Sequence, residues 1–288
     1  MITEILILGT VIGGIWALVA SGFSLMFGVA RILNFAHGIF FVLGAYFTIS
    51  LNSKLSSVLA QYSLPFSIFL SIFLVGIVGL IIYRLFLSPL KEHEIMVILV
   101  TLAIALLLEE LLLMIFKDIS ISVPSVLHGT LSFFVIPITY TRILALFLAI
   151  ALLVILELFT NKTRTGKSIL ATSQDKEAAM LIGIDVDRVY SMVAFISASF
   201  ASLAGILYSQ IYAVNPETAL RVLIYAFAIV ILGGLGNVRG SIVAAFIIGY
   251  LQVATSLSLG TRWSEVLAMI VIISILIIRP KGLFGVEV

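Results

Sequence analysis

Cysteine is absent from the 288 residues of this chain, and histidine occurs only three times. The lack of cysteine excludes disulfides, zinc-thiolate sites, iron–sulfur clusters and thiol nucleophiles together. Two of the histidines, His93 and His128, stand in predicted loops. A metal site built on clustered histidines is therefore not expected, and no metal is predicted.

Charged side chains are scarce as well, at 10% of the residues, compared with about 25% in soluble domains. Hydrophobic residues make up 62%, and they recur in long runs over the whole length. The formal net charge of +2 is too small to indicate a basic patch for nucleic acid. The composition excludes a cytosolic enzyme and a nucleic-acid binder, and it makes the lipid bilayer the solvent for most of the chain.

Motifs for catalysis are also missing from the sequence. Neither His-Glu-x-x-His nor Gly-x-Ser-x-Gly occurs, although an intramembrane hydrolase needs a metal pair or an activated nucleophile. The segment from Thr165 to Ser168 is similar to the end of a phosphate-binding loop, but Asn161 stands where the first glycine of that loop belongs. We therefore predict that the chain is not an enzyme.

The apolar runs predict an all-α, polytopic membrane protein with about nine transmembrane helices. A crossing helix needs about 20 apolar residues. Cutting the chain at charges, prolines and polar clusters gives residues 5–30, 32–51, 65–87, 95–116, 142–160, 189–212, 220–235, 241–259 and 263–278. The seventh segment is short and the second contains Asn34 and His37, so either is a candidate for a re-entrant or broken helix, and eight spans is the alternative.

The distribution of lysine and arginine predicts the orientation, because positive residues are enriched in cytoplasmic loops. With nine spans, one set of loops holds eleven of the 16 lysines and arginines, and the other set holds five. The richer set contains the segment 161–188 and the C-terminus, which are predicted to be cytoplasmic. The N-terminus is then outside, and the whole chain 1–288 is one transmembrane domain.

Two connections between the predicted spans are long. The external one, residues 117–141, contains Pro124, Gly129 and Pro137 and predicts a packed loop with a short strand or an interfacial helix. The internal one, residues 161–188, includes good helix formers over 172–182, a Thr-x-x-Asp capping pattern and a terminating Gly183. It predicts one short helix parallel to the membrane, which docks into a groove on another protein.

Polar residues in apolar surroundings are candidates for a translocation path or gate. Asn34 and His37 need hydrogen-bond partners within the membrane, and Gly38 lets another backbone approach closely. A structural hydrogen-bond network at the turn is the alternative role for these residues. Glu109 and Glu110 fall inside the fourth apolar segment and either face a polar path or reach the outer headgroups.

Small residues form two stripes at helical spacing, Gly9 with Gly13 and Ser197 with Ala201 and Gly205. Such stripes suit close packing of helices within the chain or against a second membrane subunit.

Glycines also cluster between the seventh and eighth segments, at Gly234, Gly236 and Gly240. Their spacing is wrong for a dinucleotide-binding fingerprint, so they predict a tight turn at the membrane surface.

Four groups of residues, in order along the chain, carry a family resemblance. The first group is Phe27-Gly28-Val29 with Arg31-Ile-Leu-Asn34-Phe-Ala-His37-Gly38, and the second is Leu43-Gly44-Ala45-Tyr46. The third is Thr165-Gly166-Lys167 with Asp175, Glu177-Ala178-Ala179 and Gly183-Ile184, and the fourth is Gly233-Gly234-Leu-Gly236 with Gly240 and residues 279–285. Over nearly its whole length the chain resembles the permease subunits of ATP-binding-cassette (ABC) importers for branched-chain amino acids, and specifically their shorter, H-type permease.

The resemblance implies a coupling loop that docks on an ATPase subunit. Glu177-Ala-Ala-x-x-x-Gly183 fits the opening of the general importer signature, whereas the expected Ile-x-Leu-Pro continuation is replaced by Val193-Ala-Phe-Ile196. The residues that the resemblance assigns to coupling are Gly166, Asp175, Glu177, Ala178, Ala179 and Gly183.

The resemblance also implies the partners. They are two ABC ATPase subunits that bind ATP and magnesium, a second and distinct permease chain, and an external solute-binding protein. This chain would bind no cofactor and would lie in the plasma membrane of a prokaryote. Relatives that import urea, short amides or another small solute are an alternative within the family, and an ATP-independent secondary transporter is the alternative from a different class.

Overall fold

A computed structural model describes residues 1–133, 136–279 and 282–284. These residues form eleven α-helices and one two-stranded hairpin. The helices are α1 (Ile2–Ala30), α2 (His37–Leu59), α3 (Ser63–Ile82), α4 (Glu94–Phe116), α5 (Tyr140–Lys162), α6 (Arg164–Gln174), α7 (Lys176–Leu181), α8 (Val186–Ser209), α9 (Thr218–Gly233), α10 (Val238–Ser258) and α11 (Thr261–Ile278). The strands are β1 (Thr130–Phe133) and β2 (Ile136–Thr139).

The prediction of an all-α, polytopic membrane protein is confirmed at this level. Six helical stretches in the described residues are long and apolar enough to cross a membrane, and one of them, His37–Leu90, contains α2, α3 and the turns that follow. Each of the nine predicted segments overlaps a helix, although α9 has only 16 residues. At 1.5 Å per residue α9 is about 24 Å long, shorter than a hydrocarbon core of about 30 Å.

Helix α1 runs through the centre of the molecule, and it is buried along most of its length because its small residues admit other backbones. A Cβ atom on Gly9 would lie 2.3 Å from the ring of Tyr250, and one on Gly249 would lie 2.6 Å from the backbone of Gly13. The first small-residue stripe therefore packs α1 against α10 within the chain.

The second stripe has the same role between α2 and α8. A Cβ atom on Gly205 would lie 1.8 Å from the carbonyl oxygen of Phe41. On the facing helix, a Cβ atom on Gly44 would lie 2.4 Å from the carbonyl oxygen of Ser202. Of the two alternatives for the stripes, packing within the chain is the one that the structure shows.

The prediction that the second span begins at Ile32 is wrong, because α2 begins at His37. Arg31 ends α1 in the left-handed conformation, with a φ of 56°. Asn34 then accepts the backbone N–H of Ala36 on its side-chain oxygen at 3.0 Å, an Asx-type turn that delays the helix. Residues 31–36 are an irregular connection in which Ile32, Asn34 and Ala36 are buried, and irregular backbone is tolerated in a membrane protein where protein covers it.

The segment between α4 and α5, predicted to be external, contains the predicted short strand, in the form of an antiparallel hairpin that pairs Thr130 with Thr139 and Phe133 with Ile136. Upstream of the hairpin, Ile121 pairs with Val214 in an isolated antiparallel bridge. The segment is therefore tied to the α8–α9 connection and is packed, as predicted.

The α9–α10 connection is the predicted tight turn. Gly234 and Gly236 have φ values of 102° and 81°, which side chains rarely adopt. A Cβ atom on Gly28 would lie 2.7 Å from the carbonyl oxygen of Gly236, so the turn packs directly on the end of α1. In the C-terminal group, Pro280, Lys281 and Gly285 lie outside the described residues.

Candidate functional site

The segment 161–188, predicted to be cytoplasmic, contains two short helices, so the prediction of one helix over 172–182 is wrong. Thr172 lies inside α6, buried, and its hydroxyl donates to the carbonyl of Ser168 instead of capping a helix. The break falls at Asp175, which ends α6 in an extended conformation. Its carboxylate accepts the backbone N–H of Ala178 at 2.9 Å, so the same residue caps the start of α7.

Side-chain caps fix both neighbouring helices in the same way. The Thr163 hydroxyl accepts the N–H of Gly166 at 2.9 Å at the start of α6. Asp185 accepts the N–H of Arg188 at 3.1 Å at the start of α8. The segment 161–188, which we call the coupling segment after its predicted role, therefore contains the starts of three helices, and each start is capped by a side chain of the segment.

Helix α7 ends in a Schellman motif at Gly183, whose φ is 85°. The N–H of Gly183 donates to the carbonyl of Met180, and the N–H of Ile184 donates to that of Ala179, both at 3.0 Å. Two large apolar side chains at this end are exposed, Leu181 by 88% and Ile182 by 75%. We call these two residues the α7 tip.

The six predicted coupling residues divide into two groups. Asp175, Glu177, Ala178 and Gly183 are exposed on or beside α7. Ala179 is 2% exposed, and Gly166 is buried where a Cβ atom would lie 2.0 Å from the carbonyl oxygen of Phe159. Gly166 and Ala179 thus hold the coupling segment together, while the other four and the α7 tip form its outer surface.

The polar residues at the start of α2 form a buried network. The Nε2 atom of His37 lies 2.9 Å from the carbonyl oxygen of Val19, and its Nδ1 atom lies 3.4 Å from the hydroxyl of Ser197. Because a carbonyl oxygen only accepts, Nε2 carries the proton and Ser197 donates to Nδ1. His37 therefore connects α1, α2 and α8.

Asn34 and Gly38 belong to the same network. Asn34 is 7% exposed, and its oxygens accept the backbone N–H groups of Ala36 and His37 at 3.0 and 3.2 Å. A Cβ atom on Gly38 would lie 2.1 Å from the carbonyl oxygen of Ala219, so α9 packs against the first turn of α2.

Glu109 lies apart from the His37 network. It lies half-buried on α4, with Glu110 exposed beside it. Helix α4 reaches the network through Thr101, whose hydroxyl oxygen accepts the N–H of Phe35 at 3.2 Å. Glu109 is eight residues, or about 12 Å, further along the helix.

A cavity of about 320 Å³ lies among α1, α9, α10, α11 and the end of α8, on the side predicted to be external, and we call it the external cavity. Its aromatic lining is Trp16, Tyr208, Tyr212 and Tyr225, and the ring centroids of Trp16 and Tyr225 are 4.8 Å apart. The sequence analysis missed this cavity, because its residues come from distant parts of the chain. No local pattern in the sequence points toward it.

A second cavity, of about 560 Å³, lies beside the coupling segment. Leu170 and Gln174 of α6 line one side, and Gly28 and Gly236 line another. The Glu157 carboxylate in its wall pairs with Arg239 and accepts from the amide of Asn161. Movement of α6 would change the shape of this cavity.

Comparisons with known proteins identify the family. The sequence pattern of the family described as "Branched-chain amino acid transport system / permease component" matches residues 5–276. The high-affinity branched-chain amino acid transport system permease protein LivH of Salmonella typhimurium is 25% identical, with 96% of this chain and 93% of that protein covered. BraD of Pseudomonas aeruginosa, a permease protein of the same description, is 25% identical over 97% of this chain and 94% of its own.

An archaeal relative is also similar. The probable branched-chain amino acid transport permease protein LivH of Methanocaldococcus jannaschii is 30% identical, covering 94% of this chain and 88% of that protein. No solved structure matches the chain. Together with the apolar helices, these matches confirm the predicted multi-pass membrane permease, and the chain belongs to the family of branched-chain amino acid transport permease components, as a permease subunit of an ABC importer.

Proposed function

We propose that this permease imports branched-chain amino acids across the plasma membrane of a prokaryote, receiving them from an external binding protein. The full-length relatives that carry this activity in their names support the proposal. We further propose that a second, distinct permease chain and two ATPase subunits complete the importer, and that ATP and magnesium bind to the ATPase subunits.

The proposed arrangement has nine crossings, with the N-terminus outside and the C-terminus in the cytoplasm. Contacts between segments on the same predicted side support it. Lys91 pairs with Asp187 at 2.7 Å on the internal side, where Glu157 also meets Arg239. On the external side Arg221 pairs with Glu265 at 3.5 Å.

The α7 tip is the proposed contact with an ATPase subunit, and it is the single observation that carries the coupling proposal. Leu181 and Ile182 lie at the end of a capped helix on the predicted cytoplasmic side, and both side chains are exposed in the structure. Apolar anchors on a short helix are typical of docking into a groove on a partner. ATP binding would move the coupling segment, and α6 would transmit the movement to the spans around the internal cavity.

Affinity purification of the chain from its native membranes, with mass spectrometry of the bound proteins, tests the proposed partners. We expect ATPase subunits and a second permease. The purified complex, reconstituted with its binding protein, should take up leucine in preference to urea when ATP is supplied. Uptake of urea or a short amide in place of leucine would overturn the proposed substrate, and uptake without ATP would overturn the proposed energy source.

A further inference from the structure

The external cavity combines three kinds of surface that an amino acid requires. Ile12, Val222 and Val253 are buried aliphatic residues in its lining. Arg221 and Glu265 add one positive and one negative charge, with side chains that are 47% and 44% exposed. A volume of about 320 Å³ falls in the range of small-molecule sites.

The hydrogen bonds of Arg221 are long. Its guanidinium donates to Glu265 at 3.5 Å, to Asn215 at 3.3 Å and to Thr218 at 3.2 Å. Charge-assisted bonds between nitrogen and oxygen are about 2.7–2.9 Å when well formed. Arg221 therefore retains donor capacity for a carboxylate, which it could hold with two parallel bonds.

Glu265 has Arg221 as its one hydrogen-bond partner among the residues described. Its carboxylate has four lone-pair sites, so most of its acceptor capacity is available for an ammonium group. At the external mouth of the cavity, the pair thus offers a cation for the carboxylate and an anion for the ammonium group of an α-amino acid.

The hydroxyl of Tyr225 is the third polar group. The residue is 4% exposed, and its hydroxyl lies beside the side chain of Ser264 without a hydrogen bond of good geometry in the described part of the chain. A buried hydroxyl without a well-formed hydrogen bond is destabilising, so a ligand that bonds to it gains stabilisation. The stacked Trp16 beside it is fixed by a 2.5 Å hydrogen bond to Gln252 and presents an aromatic surface.

We propose that this cavity binds the amino acid itself during transport, with Arg221 on the carboxylate, Glu265 on the ammonium group and the aliphatic lining around the branched side chain. The proposal rests on the proposed function, and it places one substrate-binding subsite inside this subunit, on the external side. Amino acids would then be selected twice, first by the binding protein and again by the permease.

Binding to the purified importer without its binding protein tests the subsite, by saturation-transfer NMR in lipid nanodiscs. The three probes are leucine, leucinamide, which lacks the carboxylate, and 4-methylpentanoate, which lacks the amine. We expect leucine to bind at least tenfold more tightly than either analogue. R221Q should weaken the binding of leucine and of 4-methylpentanoate at least fivefold and leave the binding of leucinamide unchanged. E265Q should weaken the binding of leucine and of leucinamide and leave the binding of 4-methylpentanoate unchanged.

Matched controls separate binding from structural damage. Arg262 and Glu217 are exposed on the same side and lie outside the lining of the cavity. R262Q and E217Q should therefore leave the binding of all three probes unchanged. Y225F removes the hydroxyl and keeps the ring that stacks on Trp16, and it should weaken leucine binding without lowering the melting temperature.

The outcomes distinguish the subsite from the proposed function. Absence of leucine binding to the wild-type complex, or equal effects of R221Q on all three probes, would overturn the subsite even where the complete importer takes up leucine. Failure of the complete wild-type importer to take up leucine would instead overturn the proposed substrate.

Discussion

The imidazole Nε2 of His37 lies 2.9 Å from the carbonyl oxygen of Val19, a residue in the middle of α1. Val19 precedes the last residue of α1 by eleven positions, which corresponds to about 16 Å along the helix. Helix α2 therefore begins partway along α1 and not at its end. Residues 31–36 return into the protein to reach that point, so the first two spans form a hairpin with a broken second arm.

His37→Ala should destabilise the purified complex, because it removes both ring hydrogen bonds and leaves a cavity between α1, α2 and α8. The free energy of unfolding should fall by about 1–3 kcal/mol, as expected for the loss of a buried hydrogen-bonding group. The melting temperature of the complex measures it. His93→Ala is the control, because His93 is exposed before α4 and its loss should be within about 0.5 kcal/mol of neutral. Equal melting temperatures for the two variants would contradict a structural role for the His37 network.

Gly205→Ala should force α2 and α8 apart, since the new methyl group would lie 1.8 Å from the backbone oxygen of Phe41. Overpacking of this kind costs about 1–3 kcal/mol and is expected to lower the yield of folded complex from detergent. In Gly14→Ala the nearest atom is the flexible end of Leu146 at 3.1 Å, so this variant should fold normally. Size-exclusion chromatography of the two variants provides the comparison, and a normal elution profile for Gly205→Ala would contradict the α2–α8 contact.

Asp175→Ala should uncouple ATP hydrolysis from transport by removing the cap that begins α7. Loss of an N-cap costs about 1 kcal/mol, enough to unfold a six-residue helix that depends on it. Asp175→Asn keeps the acceptor oxygen and should retain coupling. Asp185→Ala removes an equivalent cap from α8 and leaves α7 intact, so it should affect stability more than coupling. Uptake measured per ATP hydrolysed separates these cases, and an unaffected ratio in Asp175→Ala would show that α7 is dispensable.

The nine crossings can be tested directly, because the absence of cysteine lets single introduced cysteines be labelled without background from this chain. We expect an impermeant maleimide to label cysteines at Val58, Glu217 and Leu259 in intact cells. Cysteines at Leu181 and Leu235 should react only after the membrane is opened. All five positions are exposed in the structure. Labelling of positions 217 and 235 from the same side would mean that α9 does not cross and that eight spans is correct.

Much of the helical framework could be predicted, because runs of about 20 apolar residues have few alternatives in a membrane. The turn at Gly234 and Gly236 could also be predicted, since clustered glycines indicate backbone that other residues rarely adopt. The start of α2 could not, because a helix and a buried irregular stretch are equally apolar in composition. The hydrogen bond from the backbone N–H of Ala36 to the side-chain oxygen of Asn34 favours the irregular stretch.

A short helix between α5 and α8 was predicted, but the structure has two, α6 and α7. Thr172 and Asp175 both fit a capping pattern, and the sequence does not say which of them begins a helix. The structure assigns that role to Asp175, because Thr172 is buried in α6. The external cavity was beyond sequence reasoning, since it depends on how five helices pack and not on any local pattern.

The most direct test of the account is the association of the ATPase subunits with a Leu181→Glu variant. Leu181 is 88% exposed, so the charge should leave folding and membrane insertion unchanged while it disrupts an apolar contact. Val58→Glu is the matched control, because Val58 is 76% exposed at the opposite, external end of the molecule. We predict that the ATPase subunits copurify with Val58→Glu as with the wild type and are lost from Leu181→Glu. Full recovery of the ATPase subunits with Leu181→Glu would contradict docking through the α7 tip.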